Sequence, residues 1–250
     1  MEFRDPFAPA TQAYGQTRAV ERDAGLRAYM LRIYNYMASA LALTGIVALI
    51  AANSPAFLSA IYNVQDGHVV GMNGLGFLIM FAPIGLVLWL GMGLQNMAVS
   101  TAQTIFWVYA GLIGLSLSSI FLVYTGESIA RTFFVTAGTF GAMSIYGYTT
   151  KRDLTGMGSF LIMGLIGLLV ASLVNMFLHS SGLGFATSVI GVLIFVGLTA
   201  WDTQKLKGMY YMIGGGDALA KASIMGALSL YMDFINIFMY LLRFMGDRRN

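Results

Sequence analysis

Five stretches of this chain, residues 33–52, 75–94, 105–124, 132–148 and 157–178, are close to membrane length and carry no charged side chain. About 20 residues of helix cross the ~30 Å hydrocarbon core of a bilayer. Hydrocarbon offers a backbone no hydrogen-bond partner, so runs this long and apolar read as helices whatever their periodicity. Two further runs, 185–205 and 224–242, are comparably apolar, but each contains an acid, Asp202 in the first and Asp233 in the second. The expected fold class is therefore all-α: a polytopic membrane protein with seven transmembrane helices. Composition agrees, since 58% of residues are hydrophobic and only 10% charged, against about 25% charged in soluble domains. Thirty glycines suit closely packed membrane helices. Pro83 falls inside the second run and predicts a kink there.

The flanks divide the chain into a flexible cytoplasmic tail (1–29), a membrane domain (30–246) and a short basic C-terminal tail (247–250). The tail carries both signs of charge and does not look like a cleavable signal peptide; the first span is expected to act as an uncleaved signal. Lys151, Arg152, Lys205, Lys207 and Lys221 cap the fourth span and surround the sixth connection, whereas residues 53–74 contain no Lys or Arg. The positive-inside rule then places the N-terminus, Lys151-Arg152 and the sixth connection in the cytoplasm. Two features conflict with it. Residues 95–104 should be cytoplasmic yet lack Lys and Arg, and Arg243, Arg248 and Arg249 end outside unless the seventh segment re-enters. A full seventh span is the preferred expectation.

Net charge of +3 reflects these basic caps and does not point to nucleic acid; the absence of cysteine excludes disulfides and thiolate metal sites. The chemistry is carried by the acids, because a charged residue within a span costs roughly 2.5–3.5 kcal/mol on insertion scales. Ser229, Asp233, Asn236, Tyr240 and Arg243 recur at helical spacing and stack on one face. That face is either a packing seam or the wall of an ion pathway, and a mid-span acid favours the pathway. Counted from the apolar boundaries, Asp202 lies near the cytoplasmic end and Asp233 roughly 13 Å into its segment, so a meeting requires a tilt or a segment that starts inside a vestibule. If they meet, the two carboxyls share one proton, and their hard oxygens suit Ca²⁺. The alternative is that Asp202 faces interfacial water beside Lys205.

Other residues carry weaker signals. Glu127 and Arg131 are spaced as an i,i+4 surface pair, Asn175 as a helix–helix hydrogen bond, and His68 and His179 are isolated. Gly214-Gly215-Gly216-Asp217 has the letters of an intramembrane aspartyl protease motif but lies in a polar connection, where it reads as a flexible turn. The repeat of Phe77-Leu-Ile-Met at Phe160 is read as chance. No catalytic residue, cofactor or enzyme activity is expected.

Residues 195–207 and 224–246, residues 139–158 with Gly-Tyr-Thr-Thr-Lys-Arg-Asp-Leu, and Ser100-Thr-Ala-Gln103 resemble the Bax inhibitor-1 family, especially its bacterial branch. The similarity covers nearly everything after the tail. It implies a seven-helix fold with a central last helix, in the bacterial inner membrane. It also implies a pH-sensitive calcium leak in which paired aspartates, here Asp202 and Asp233, bind cations and sense protons. Ser229, Asn236 and Tyr240 would line the pathway. Relatives carry a basic latch at the end of the second helix; this chain has Leu94-Gln-Asn-Met97 there, making the neutral amides Gln95 and Asn96 the candidate gate. The resemblance also implies interaction with membrane-bound proteases, as in bacterial relatives, so the alternative reading is a protein that regulates other membrane proteins without ion flux. An intramembrane hydrolase is a distant third.

Overall fold

The computed structural model describes residues 8–65 and 68–249, with side chains from residue 22 onward except at 64–70. Long helices dominate. They are α1 (Ala8–Ala52), α3 (Gly74–Gly93), α4 (Val99–Leu117), α6 (Gly126–Thr149), α7 (Thr155–Leu178), α8 (Ser181–Met212) and α9 (Gly216–Met245), with short α2 (Pro55–Ile61) and α5 (Ile120–Val123) between them. The connection after α2 is an antiparallel hairpin, β1 (Tyr62–Gln65) with β2 (His68–Met72), a feature no apolar run announced.

Six helical segments are long and apolar enough to cross a membrane: Arg22–Ala52, Gly74–Asn96, Val99–Val123, Thr155–Leu178, Ser181–Met212 and Gly216–Met245. The remaining long helix, α6, matches α7 in length at 24 residues but is less apolar, with Glu127 and Arg131 near its start and Thr132, Thr136 and Ser144 buried along it. α1 runs unbroken through the boundary expected at residue 29. Leu26, Tyr29 and Met30 are already buried in the core, so the packed domain begins before residue 30. Residues 1–7 lie outside the described residues.

Local chemistry explains the element ends. Ser54, Asn73, Thr125 and Ser180 each cap a helix by accepting the backbone N–H three residues on, at Phe57, Gly76, Ser128 and Leu183. α3 continues past Pro83, which has no N–H to offer the carbonyl of Ile79. Ser116 of α4 donates to that carbonyl at 3.0 Å and repairs the gap. The third expected run breaks at Ser118-Ser119, whose hydroxyls donate back to Leu115 and Ser116 carbonyls.

α9 is the most buried of the six apolar segments and packs against α1, α4, α6 and α8. Its last residues join the opposite end of the bundle from its first. Thr125 N–H donates to the Asp247 carbonyl at 3.1 Å, Arg249 N–H to that of Val123 at 2.9 Å, and Arg131 pairs with Asp247 at 2.8 Å. Arg131 therefore does not pair with Glu127 as the spacing suggested; the folded-back C-terminal segment supplies a nearer carboxylate. The other end gathers the start of α1, the α6–α7 connection and the α8–α9 turn. There Tyr29 packs on Tyr210 with centroids 5.6 Å apart, and Gln204 of α8 bridges Leu154 N–H and Arg152 C=O.

Candidate functional site

α8 and α9 form an antiparallel hairpin. Their turn contains Gly215 at φ 103° and Gly216 at φ 63°, conformations that favour glycine, so the Gly-Gly-Gly-Asp stretch serves as this connection. Asp217 is exposed in the first turn of α9, 16 positions or roughly 24 Å of helix before Asp233.

Packing sets the hairpin register. Toward the turn, Leu206 lies on Gly226. Away from it, Phe195 stacks on Tyr240 with centroids 5.9 Å apart, and Gly191 lies so close to the Tyr240 ring that a Cβ would stand 2.7 Å from it. Asp202 and Asp233 fall between these contacts, near enough to one another for their carboxyls to interact. The offset in depth anticipated from the apolar boundaries is absent. α8 continues to Met212 and α9 begins at Gly216, so the polar flanks are helical and the turn lies beyond the apolar ends.

Asp233 is only 5% exposed, and its Oδ2 has no hydrogen-bond partner. Asp202 is half-buried. Among the described residues neither acid has an ion-pair partner. Lys205, one turn beyond Asp202, acts on it through space while its Nζ stands 4.9 Å from the Trp201 ring centroid. A buried carboxyl beside a second one is costly to leave charged, because the like charges have no opposing partner. The two carboxyls offer at most four oxygens, whereas Ca²⁺ takes six to eight. Among the described residues no third Asp, Glu, His or Cys completes a ligand cluster.

Among the described residues a single hydroxyl pair joins the hairpin to α6. Thr199 and Thr203 of α8 donate to their own helix at Phe195 and Thr199 carbonyls, and Ser144 meets Thr203 at 3.3 Å. Gly147 lets α6 approach until its backbone lies against the Ala200 carbonyl, leaving no room for a Cβ.

The other expected site residues are placed as follows. Tyr240 shares the α8-facing side of α9 with Asp233, but its ring closes against Phe195. Asn236 donates to the Met232 carbonyl of its own helix at 2.8 Å, and Ser229 is half-buried. Gln95 and Asn96 form a 3-10 turn after α3 with exposed side chains, neither of which makes a hydrogen bond among the described residues. The basic group that reaches this turn comes from α9: Lys221 Nζ donates to the Gln95 carbonyl at 2.9 Å. Asn175 lies near the end of α7 rather than deep within it, and its Oδ1 accepts from Ser180 N–H instead of a neighbouring helix. Sequence reasoning missed Tyr231. This fully buried side chain bonds Thr44 of α1 at 2.7 Å, and Thr44 donates to the Ala110 carbonyl of α4 at 2.9 Å. The available signal was a tyrosine two positions from a mid-helix acid, where its hydroxyl must find a partner.

A family model described as inhibitor of apoptosis-promoting Bax1 matches residues 26–250. The chain belongs to the Bax inhibitor family. It is similar to a Rickettsia prowazekii protein at 57% identity over 228 residues, covering 91% of this chain and 93% of the relative. It is 50% identical over 232 residues to the inner membrane protein YbhL of Escherichia coli, covering 92% of this chain and 96% of that one. A Streptococcus pyogenes membrane protein is 35% identical over 230 residues, covering 90% of this chain and 95% of that one. Together with the apolar helices, membership makes this a helical membrane protein of the Bax inhibitor family.

Proposed function

We propose that this Bax inhibitor family protein is a pH-sensitive, calcium-permeable leak channel or exchanger of the bacterial inner membrane, with Asp202 and Asp233 as its cation and proton site. The observation that carries the reading is that the hairpin register sets two acids of adjacent helices beside one another, one of them buried with an unpartnered oxygen. An incomplete ligand set supports transit over storage: four oxygens at most leave water to finish the Ca²⁺ shell, which favours weak, reversible occupancy. Protons compete for the same oxygens. Tyr240 against Phe195 would be the closure beyond Asp233, with Ser229 and Asn236 on the wall that opens. Lys221 at the Gln95 carbonyl would tie the candidate gate, Gln95 and Asn96, to the helix that carries Asp233.

The chain would cross the membrane seven times, with α6 as the least apolar crossing, shielded by α8 and α9. The N-terminus would be cytoplasmic, and α9, one unbroken helix of 30 residues, would cross fully rather than re-enter. YbhL is an inner membrane protein, which supports the same membrane here.

The test is Ca²⁺ flux through purified protein in liposomes across a pH series. Asp233→Asn removes a cation ligand and a titrating group together, so flux falls and its pH dependence flattens. Asp202→Asn flattens the pH dependence as well. An unchanged pH profile in both single mutants and the double mutant overturns the paired site. Wild-type protein that conducts nothing at any pH favours instead a regulator of other membrane proteins, such as proteases, whose acids serve structure.

A further inference from the structure

At the end of the bundle where α7, α8 and α9 meet the C-terminal segment lies a cavity of about 630 Å³. Its polar lining includes Asn175, His179, Ser181, Ser188, Arg243 and Arg248, and no acidic side chain lines it among the described residues. The nearby acid, Asp247, is held by Arg131 at 2.8 Å. Arg243 is positioned by its guanidinium on the Tyr240 ring, 5.7 Å from the centroid. Asn175 accepts from Ser180 N–H, which leaves its amide NH₂ to donate beside Gly184. The N-terminus of the 32-residue α8 opens on the same space and adds its own positive end. The cavity's apolar lining is exposed: Phe185 and Phe244 pack together with ring centroids 5.4 Å apart.

We propose that this cavity binds the phosphate of an anionic phospholipid, with Arg243 and Arg248 on the phosphate oxygens and the acyl chains along the Phe185–Phe244 rim. Guanidinium forks match phosphate oxygens. The apolar rim distinguishes a lipid from a free anion, because a soluble phosphate has no use for exposed phenyl rings at the mouth of its site. The arrangement also accounts for arginines at an end of the bundle where the charge rule does not expect them. Only the choice of leaflet rests on the orientation given under Proposed function. The binding is read without ion flux, so the two readings fail separately.

The experiment is native mass spectrometry of the full chain exchanged into detergent micelles containing phosphatidylglycerol and phosphatidylcholine, whose headgroups differ in net charge. Wild type retains phosphatidylglycerol at least about tenfold over phosphatidylcholine, the scale of one charge-assisted contact. R243Q/R248Q abolishes the preference and R248Q, beyond the end of α9 and so safe for folding, weakens it. K151Q/R152Q, which removes equal charge at the opposite end, leaves it intact. Equal retention of both lipids, a preference that survives R243Q/R248Q, or equal loss in K151Q/R152Q overturns the proposal. Displacement of the lipid by millimolar inorganic phosphate overturns it too, by making this a free-anion site.

Discussion

Tyr231 illustrates how one buried hydroxyl joins three helices. The single proton of Thr44 goes to the Ala110 carbonyl, so Tyr231 must be the donor to Thr44. The two ends of this pair are therefore unequal. Tyr231→Phe removes a donor and leaves Thr44 bonded, at a cost of about 0.5–1 kcal/mol. Thr44→Val strands the tyrosine hydroxyl in a dry core, while the Ala110 carbonyl keeps its own helix partner, and costs about 1–3 kcal/mol. Reversible unfolding in mixed micelles measures the difference, and the double mutant should cost less than the sum. Strictly additive losses, or a larger loss for Tyr231→Phe, would show that the hydroxyl chain is not what joins α1, α4 and α9. The same asymmetry between satisfied and stranded groups singles out Asp233, whose Oδ2 lacks the partner that Tyr231 has.

Pro83 and Ser116 form a compensating pair at the level of elements, one on α3 and one on α4. The proline removes a donor from the helix ladder; the serine of the adjacent helix returns it. Ser116→Ala should cost about 1 kcal/mol in the wild-type background, since it leaves the Ile79 carbonyl unpaired. In a Pro83→Ala background the new N–H can serve Ile79 from within α3, and the same Ser116→Ala change should cost close to nothing. Thermal unfolding in detergent of the four proteins completes the cycle. Equal costs in both backgrounds would mean that the hydroxyl bond contributes nothing specific. Such compensation is invisible in an apolar run read alone, because Pro83 calls for a partner without saying which helix provides it.

For the whole molecule, topology is the decisive property. Val123–Thr125, the β-hairpin side of α2 and α3, and the end of α9 belong to one end of the bundle, while the α8–α9 turn belongs to the other. A reporter inserted at Gly214 should be cytoplasmic, and reporters in the β1–β2 turn and after Asn250 should both lie on the opposite side. Gly214 is the insertion point because α8 continues to Met212. A C-terminal reporter on the same side as Gly214 would refute the full crossing of α9. The antiparallel contact of Asp247–Arg249 with Val123–Thr125 holds that end in place with backbone bonds, which persist when surface charges are screened.

The sequence by itself determined that the chain is helical and built for a membrane, since uncharged runs of that length leave a backbone in hydrocarbon no other way to satisfy itself. It also marked Asp202 and Asp233, because an acid in such a run is costly enough to stand out. Packing between distant segments decided the rest. Whether the acids meet depended on hairpin register, set by Phe195 on Tyr240 and Leu206 on Gly226, and apolar boundaries mislead there because the helices continue past them. Arg131 found Asp247 rather than Glu127, and Lys221 reached the Gln95 carbonyl, across 116 and 126 positions of chain. Helical spacing records neighbours within three or four residues. Partners that far apart are brought together only by the fold.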